Sequence, residues 1–184
     1  MFQKVLLILM IFCQNINNIE SAKRPFDLIL HSVEVKNVTD LFQDWDCCLR
    51  KLAKNRYAIS VMITLSRQLA KNAEIEILIH ISQPNTSKII KFLEVKLNIC
   101  DALVNLKAAV LIKELFKELM GVSNLPYNCP IKGNVMYNVT DFIVVDKFFP
   151  TYTPSLHFNY TLKFYNDRKL IGIYILKGST VIRN

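Results

Sequence analysis

The chain has 184 residues, a formal net charge of +8 and four glycines. Its hydrophobic content of 52% excludes a disordered chain, and so few glycines leave no Gly-rich phosphate-binding loop. Lys and Arg are scattered singly among apolar residues, which predicts a solvated basic surface and no nucleic-acid partner.

The first 21 residues have the pattern of a secretory signal peptide. Lys4 precedes the apolar run VLLILMIFC over residues 5–13, which is shorter than the ~20 apolar residues of a transmembrane helix. Small residues at Ser21 and Ala22 follow, although Glu20 makes the cleavage motif imperfect. We expect a signal peptide over residues 1–21, a single secreted domain over residues 22–184, and no transmembrane segment.

Most of the chain after residue 27 alternates apolar and polar residues with period two, which is typical of half-buried strands. Residues 166–168 are expected to form the turn between the last two strands. The predicted strands cover residues 28–36, 43–51, 57–65, 73–82, 89–99, a segment around 135–139, 156–165 and 170–176. The pattern therefore predicts a mainly β protein of about eight strands.

One segment, residues 101–120 with the sequence DALVNLKAAVLIKELFKELM, is rich in helix-forming residues. Asp101 is placed to act as N-cap and Gly121 as C-cap. Apolar residues cover more than half of the helix circumference, which favours a helix packed on a sheet. In the alternative, the helix also lines an apolar cavity, with Val110 and Phe116 as lining residues.

Four cysteines follow the signal peptide: Cys47, Cys48, Cys100 and Cys129. An even number in an oxidising compartment indicates disulfide bonds. Because a bond between neighbours is strained, we expect Cys47 and Cys48 each to pair with one of the two later cysteines. In the rival arrangement, Cys100 pairs with Cys129 and a thiol of the adjacent pair stays free.

Four N-x-S/T sequons are present, which is more than chance favours in so short a chain behind a signal peptide. The period-two alternation places two of them, Asn138 and Asn159, on polar strand faces. The predicted glycosylation sites are Asn37, Asn85, Asn138 and Asn159.

Aromatic side chains are concentrated between residues 142 and 165. They either complete the core or contact an apolar ligand, since ligand sites are lined mainly by aliphatic and aromatic groups. The predicted lining residues in this region are Phe142, Phe148, Phe149, Tyr152, Phe158, Tyr160 and Phe164.

No catalytic, cofactor-binding or metal-binding motif is present. His31, His80 and His157 lie on separate predicted strands, and Glu74 and Glu76 share a polar face. We therefore expect surface histidines and solvated carboxylates, and neither enzyme activity nor a cofactor nor a metal site.

Three short motifs resemble a family of secreted insect proteins defined only as a domain of unknown function. They are Cys48-Leu49-Arg50, Cys100 before the predicted helix, and Asn128-Cys129-Pro130, followed by the Pro-containing segment FFPTYTP at residues 148–154. That family looks like a branch of the ML lipid-recognition superfamily, which includes ganglioside-activator and sterol-transfer proteins. The resemblance implies an immunoglobulin-like β-sandwich enclosing a lipid pocket, and some insect relatives are implicated in contact chemosensation of pheromones.

The chain departs from that family in its cysteines. The family usually has a cysteine near residues 35–37, whereas this chain has none there and instead has Cys47. The family's disulfide pairing is therefore not transferred.

Together these patterns predict a secreted binding protein for a lipid or other apolar molecule held between two sheets, with a role in chemosensation or lipid transfer. The alternative is a secreted glycoprotein with a solid core that binds a receptor or another extracellular protein.

Overall fold

The computed structural model of the protein describes residues 24–84, 86–105 and 117–183. A helix, α1 (Ile99–Asn105), follows the fifth strand, and a 3-10 helix (Asp146–Phe148) follows the sixth. The strands are β1 (Phe26–Asn37), β2 (Phe42–Ala53), β3 (Arg56–Leu65), β4 (Glu74–Ser82), β5 (Ile90–Asn98), β6 (Met136–Val145), β7 (Leu156–Asn166) and β8 (Lys169–Ile182). The prediction of a mainly β protein with about eight strands is confirmed.

The strands form two antiparallel sheets of unequal size. The larger sheet has the strand order β1-β8-β7-β4-β5, and the smaller sheet has the order β2-β3-β6. Buried side chains of β1 and β7 pack against those of β3 and β6, so the two sheets face each other as a sandwich. Because three strands cannot cover five, part of the larger sheet extends beyond the smaller one.

Short polar turns connect two of the hairpins. Asn55 in the β2–β3 turn has φ 59°, and the β7–β8 turn places Asp167 and Arg168 at φ 50° and 63°. Asn and Asp tolerate this left-handed region better than most residues, which explains their positions in these turns. The predicted turn at residues 166–168 is confirmed.

The sandwich core consists of two clusters at opposite ends of the strands. The first cluster contains Leu28, Leu30, Tyr57, Ile59, Val144 and Phe158. The second contains Leu41, Phe42, Trp45, Leu65, Ile171 and Tyr174.

One side of the sandwich, where β2 lies beside β1, is held closed by polar contacts. Asn55 Oδ1 accepts a hydrogen bond of 2.9 Å from the backbone N–H of Leu28, which joins the β2–β3 turn to β1. Asp27 accepts hydrogen bonds from Asn55 and Arg183 and forms an ion pair of 2.9 Å with Lys54. We call this set the β1–β2 clamp.

The helix differs from the predicted one. Helical residues occur at Ile99–Asn105 and again at residues 117–121, while residues 106–116 lie outside the described part of the chain. The N-cap is Asn98, whose Oδ1 accepts a hydrogen bond of 3.1 Å from the Asp101 N–H, so the N-cap assignment to Asp101 was wrong. Gly121 is itself helical and has no positive φ, so the predicted C-cap was also wrong. In the described ranges, no helix has both the length and the apolar character required to span a membrane.

Candidate ligand-binding cleft

The inward face of β3, the central strand of the smaller sheet, shows where the core is incompletely filled. Tyr57 and Ile59 near its start and Leu65 at its end are 3%, 5% and 3% exposed. Val61 and Ile63, between them on the same face, are only partly buried. The middle of β3 is therefore more exposed to solvent than its two ends, although Val61 and Ile63 still pack against the core clusters.

The inward face of the larger sheet shows the same pattern of partial burial. On β7, Phe158 is buried, whereas Tyr160 and Leu162, which follow it on the inward face, are partly buried. On β4, every inward-facing side chain is partly buried: Ile75, Ile77, Ile79 and Ile81. We take the partly buried apolar surface formed by these residues and the middle of β3 as the candidate cleft.

The cleft continues toward the uncovered edge of the larger sheet. Ile90 and Leu93 on β5 pair with Ile81 and Ile79, and therefore share the inward face of β4. They are 48% and 38% exposed, so the described part of the chain leaves this face of β5 accessible. The apolar lining is thus continuous from the core to an open side, opposite the β1–β2 clamp.

Glycines of β8 allow aromatic rings to close both ends of the cleft. A Cβ at Gly178 would lie 2.3 Å from Phe158 Cζ, and one at Gly172 would lie 2.4 Å from Trp45 Cζ3. At the second site the Phe42 and Trp45 rings stack with centroids 4.2 Å apart. The rings occupy space that any side chain at these glycines would fill.

The predicted lining residues lie in several different environments. Phe158, Tyr160 and Phe164 face inward from β7 and pack against the two core clusters. Phe142, Phe148 and Phe149 are partly buried at the first cluster, with the Phe142 and Phe148 rings stacked at 6.0 Å. Tyr152 is 89% exposed and lies outside the cleft, while Val110 and Phe116 lie outside the described residues. Residues of β4 were not among the lining residues predicted from the sequence. The alternation of this strand was visible in the sequence, but its apolar face was not assigned to the cavity.

The cysteines correct the leading disulfide prediction. Cys100 and Cys129 are bonded to each other, as in the rival arrangement, while both Cys47 and Cys48 have free thiols. The expected bonds were wrong because β2 lies beside β1, whereas Cys100 follows β5 at the opposite edge of the larger sheet. Cys47 faces Tyr174 between the sheets, and burial, followed by the nearby Asp46, raises the pKa of its thiol. Cys48 is exposed on the outer face.

Charged side chains lie on the outer faces and form pairs there. Glu74 pairs with Lys96 at 2.7 Å, and Glu76 pairs with Lys163 at 3.2 Å. A hydrogen bond from the Tyr165 hydroxyl, at 2.8 Å, lowers the pKa of Glu76. These carboxylates therefore act in ion pairs on the sheet surface.

His31, His80 and His157 lie on the outer face of the larger sheet. His31 Nε2 lies 3.0 Å from Ser179 Oγ, but Ser179 is only 4% exposed and is covered. Within residues 24–84, 86–105 and 117–183, no group of three or more His, Cys, Asp or Glu side chains could hold a metal ion.

Three of the four sequons can be placed. Asn37 and Asn159 are exposed, and Asn138 is partly exposed on the outer face of β6, next to the buried Tyr137. Asn85 lies outside the described residues. The outer faces of both sheets thus carry a sequon, and the cleft does not.

The fold and the cleft together define an antiparallel β-sandwich with an apolar, partly open interior. Residues 75–160, from β4 into β7, match the sequence model of a family described as protein of unknown function (DUF1091). This stretch contains both bonded cysteines, and the match supports the expected relationship to a family of domains of unknown function. No curated protein matches the chain.

Proposed function

We propose that this protein is a secreted binding protein for a lipid or another long apolar molecule. The observation that carries the proposal is the incomplete burial of Val61 and Ile63, inward-facing apolar residues in the middle of a strand whose ends are buried. Apolar side chains that face the interior but keep solvent contact are stabilised when a ligand covers them. The suggested likeness to the ML lipid-recognition superfamily supports the same function, in lipid transfer or chemosensation.

The open side of the sandwich determines where such a ligand would lie. The partly buried face of β4 continues onto the exposed Ile90 and Leu93 of β5, so an elongated molecule can lie along it. The opposite side is closed by the β1–β2 clamp. A ligand would therefore enter beside β5 and point toward β3.

Adjacent residues of β3 provide a matched test of the cleft. Val61 faces the cleft, whereas Met62 faces outward and is 39% exposed. Val61→Trp should fill the cleft and abolish saturable binding of the fluorescent probe N-phenyl-naphthylamine, while Met62→Trp should leave binding unchanged. Circular dichroism shows whether each variant is folded. If Val61→Trp does not fold, Ile77→Phe tests the same cleft with a smaller increase in side-chain volume.

Purified protein should also carry co-purifying apolar molecules, detected by native mass spectrometry before and after extraction with organic solvent. Absence of saturable probe binding to the extracted protein, together with absence of any co-purifying molecule, would show that the proposal is wrong.

Secretion and glycosylation form part of the proposal and are tested separately. Expression of residues 1–184 in insect cells should release protein whose first residue lies near position 22. Asn159→Gln and Asn138→Gln should each increase electrophoretic mobility unless glycans are first removed enzymatically. Retention of the protein inside the cells would contradict the expected location.

The exposed strand β5 favours a second candidate, an interaction module that binds another extracellular protein. Ile89 and Phe92 are 66% and 68% exposed, next to the edge of the larger sheet. Contiguous exposed apolar side chains mark interaction sites. Phe92→Glu should then weaken partner binding without changing binding of the probe in the cleft.

A further inference from the structure

Two tyrosine side chains face the interior at the second core cluster. Tyr160 on β7 pairs with Leu176 and Tyr174 on β8 pairs with Leu162, so the two tyrosines are diagonal neighbours on one sheet face. Tyr174 is 9% exposed and Tyr160 is partly buried. Burial raises the pKa of Tyr160 to about 12 and raises that of Tyr174 as well, so both hydroxyls are protonated at neutral pH. Both can therefore donate a hydrogen bond.

Neither hydroxyl donates to a protein acceptor within the part of the chain that the structure describes, and neither is fully enclosed, unlike the Trp45 indole N–H. Other tyrosines do: Tyr137 donates to the Lys132 carbonyl at 3.2 Å, and Tyr165 donates to Glu76 at 2.8 Å. A donor that is only partly enclosed and has no protein partner can bond water or a ligand. The two interior hydroxyls are thus placed to bond something other than the protein.

A third donor in the same core cluster has no partner. The indole Nε1 of Trp45 is enclosed and lacks a hydrogen bond, and Trp45 and Tyr174 belong to one cluster. This end of the cleft therefore carries an excess of donors over acceptors.

The surroundings of the tyrosines are uncharged. Their inward-facing neighbours in the cluster are aliphatic: Val33, Val61, Ile63, Leu162 and Leu176. The adjacent Cys47 thiol has a pKa raised by burial and is neutral. Glu34 is paired with Lys177 at 2.8 Å on the outer face. A ligand with a charged head group would lose its hydration here without gaining an opposite charge.

We infer that the hydroxyls of Tyr160 and Tyr174 bind the oxygen of an uncharged, long-chain ligand, such as an ester, a ketone or an alcohol. This inference rests on the proposed function, because it assigns the polar end of the ligand to the part of the same cleft beside the second core cluster. The hydrocarbon part then extends along β4 toward β5. Plain hydrocarbons and fatty-acid anions fit less well, since the first accept no hydrogen bond and the second carry a charge.

Three chain-matched compounds separate these ligand classes when each competes with N-phenyl-naphthylamine: hexadecyl acetate, hexadecane and palmitate. We expect hexadecyl acetate to bind the protein about 10-fold more tightly than hexadecane, and palmitate to bind more weakly than the ester. The double variant Tyr160→Phe, Tyr174→Phe should lose that ~10-fold preference while binding hexadecane unchanged. The control is Tyr165→Phe, which removes a hydroxyl from the outer face.

The outcomes distinguish the inference from the proposed function. If the acetate and hexadecane bind equally, or if palmitate binds best, the inference is wrong but a binding cleft remains. If no compound displaces the probe and the probe itself does not bind, the proposed function is wrong too. If the double variant does not fold, the single variants Tyr160→Phe and Tyr174→Phe replace it, and the ester-to-hydrocarbon ratio of the native protein is decisive.

Discussion

The β1–β2 clamp predicts a specific loss of stability at low pH when Asp27 is replaced. Burial alone would raise the pKa of this carboxyl, but hydrogen bonds from Lys54, Arg183 and Asn55 outweigh burial and lower it from 3.8 to about 2. A carboxyl with a lowered pKa stabilises the folded state above its unfolded pKa, and that stabilisation disappears as the pH falls through the folded value. The relevant window is therefore about pH 4 down to about pH 2.

The pKa shift of Asp27 gives the size of the expected stability loss. A change from 3.8 to about 2 corresponds to at most ~2.4 kcal/mol at 1.36 kcal/mol per unit. Because the Asp27 side chain is 26% exposed, solvent screening reduces this to ~1–2 kcal/mol. Asp27→Asn should lower the free energy of unfolding by that amount at pH 6, and the difference from native protein should shrink toward zero near pH 2.

Urea titrations between pH 6 and pH 2, followed by circular dichroism, measure this difference directly. The control is Asp40→Asn, which removes a carboxyl that is 82% exposed and 3.5 Å from Arg67. A stability difference for Asp27→Asn that is constant over the whole pH range would refute the electrostatic reasoning and assign the loss to packing.

Three other changes test packing and cysteine chemistry. Gly178→Ala should lower stability by ~1–3 kcal/mol in thermal melting, because the new Cβ would overlap an aromatic ring, whereas Gly121→Ala, with open space around it, should not. Cys129→Ser should lower stability by ~3–4 kcal/mol, since the bond closes a 29-residue separation, and a reductant should then have no further effect. In folded protein a thiol reagent should react rapidly with the exposed Cys48 and slowly with the partly buried Cys47. Denatured protein should react at both cysteines. If denatured protein does not react, the disulfide pairing is wrong.

The strands could be predicted because alternation with period two is a local consequence of a half-buried sheet. The alternation of β3 and β7 identified the apolar face of each strand, and two left-handed residues form the predicted turn at residues 166–168. The last strand was longer than predicted, since Lys177 to Ile182 continue the pairing with β1 although their sequence does not alternate clearly.

The cysteine pairing and the cleft could not be predicted, because both depend on the arrangement of strands within the sheets. Cys47 can reach Cys100 only if β2 lies close to the end of β5. The order of the strands in the two sheets determines whether they are close. Likewise Val61 and Ile63 are indistinguishable by sequence from buried residues of the same strand. Tyr174 was not among the predicted lining residues, although Gly172 and Leu176 share its face, since alternation does not reveal which face is the inner one.

The two glycines of β8 let aromatic rings lie directly on its backbone. At Gly172 the Trp45 ring comes from the facing sheet and rests on bare backbone, which sets the separation of the sheets there, whereas at Gly178 the Phe158 ring comes from the neighbouring strand. Enlarging Gly172 would push the layers apart, and trimming Trp45 would let them approach. Substitutions at Gly172 and at Trp45 should therefore compensate each other rather than add.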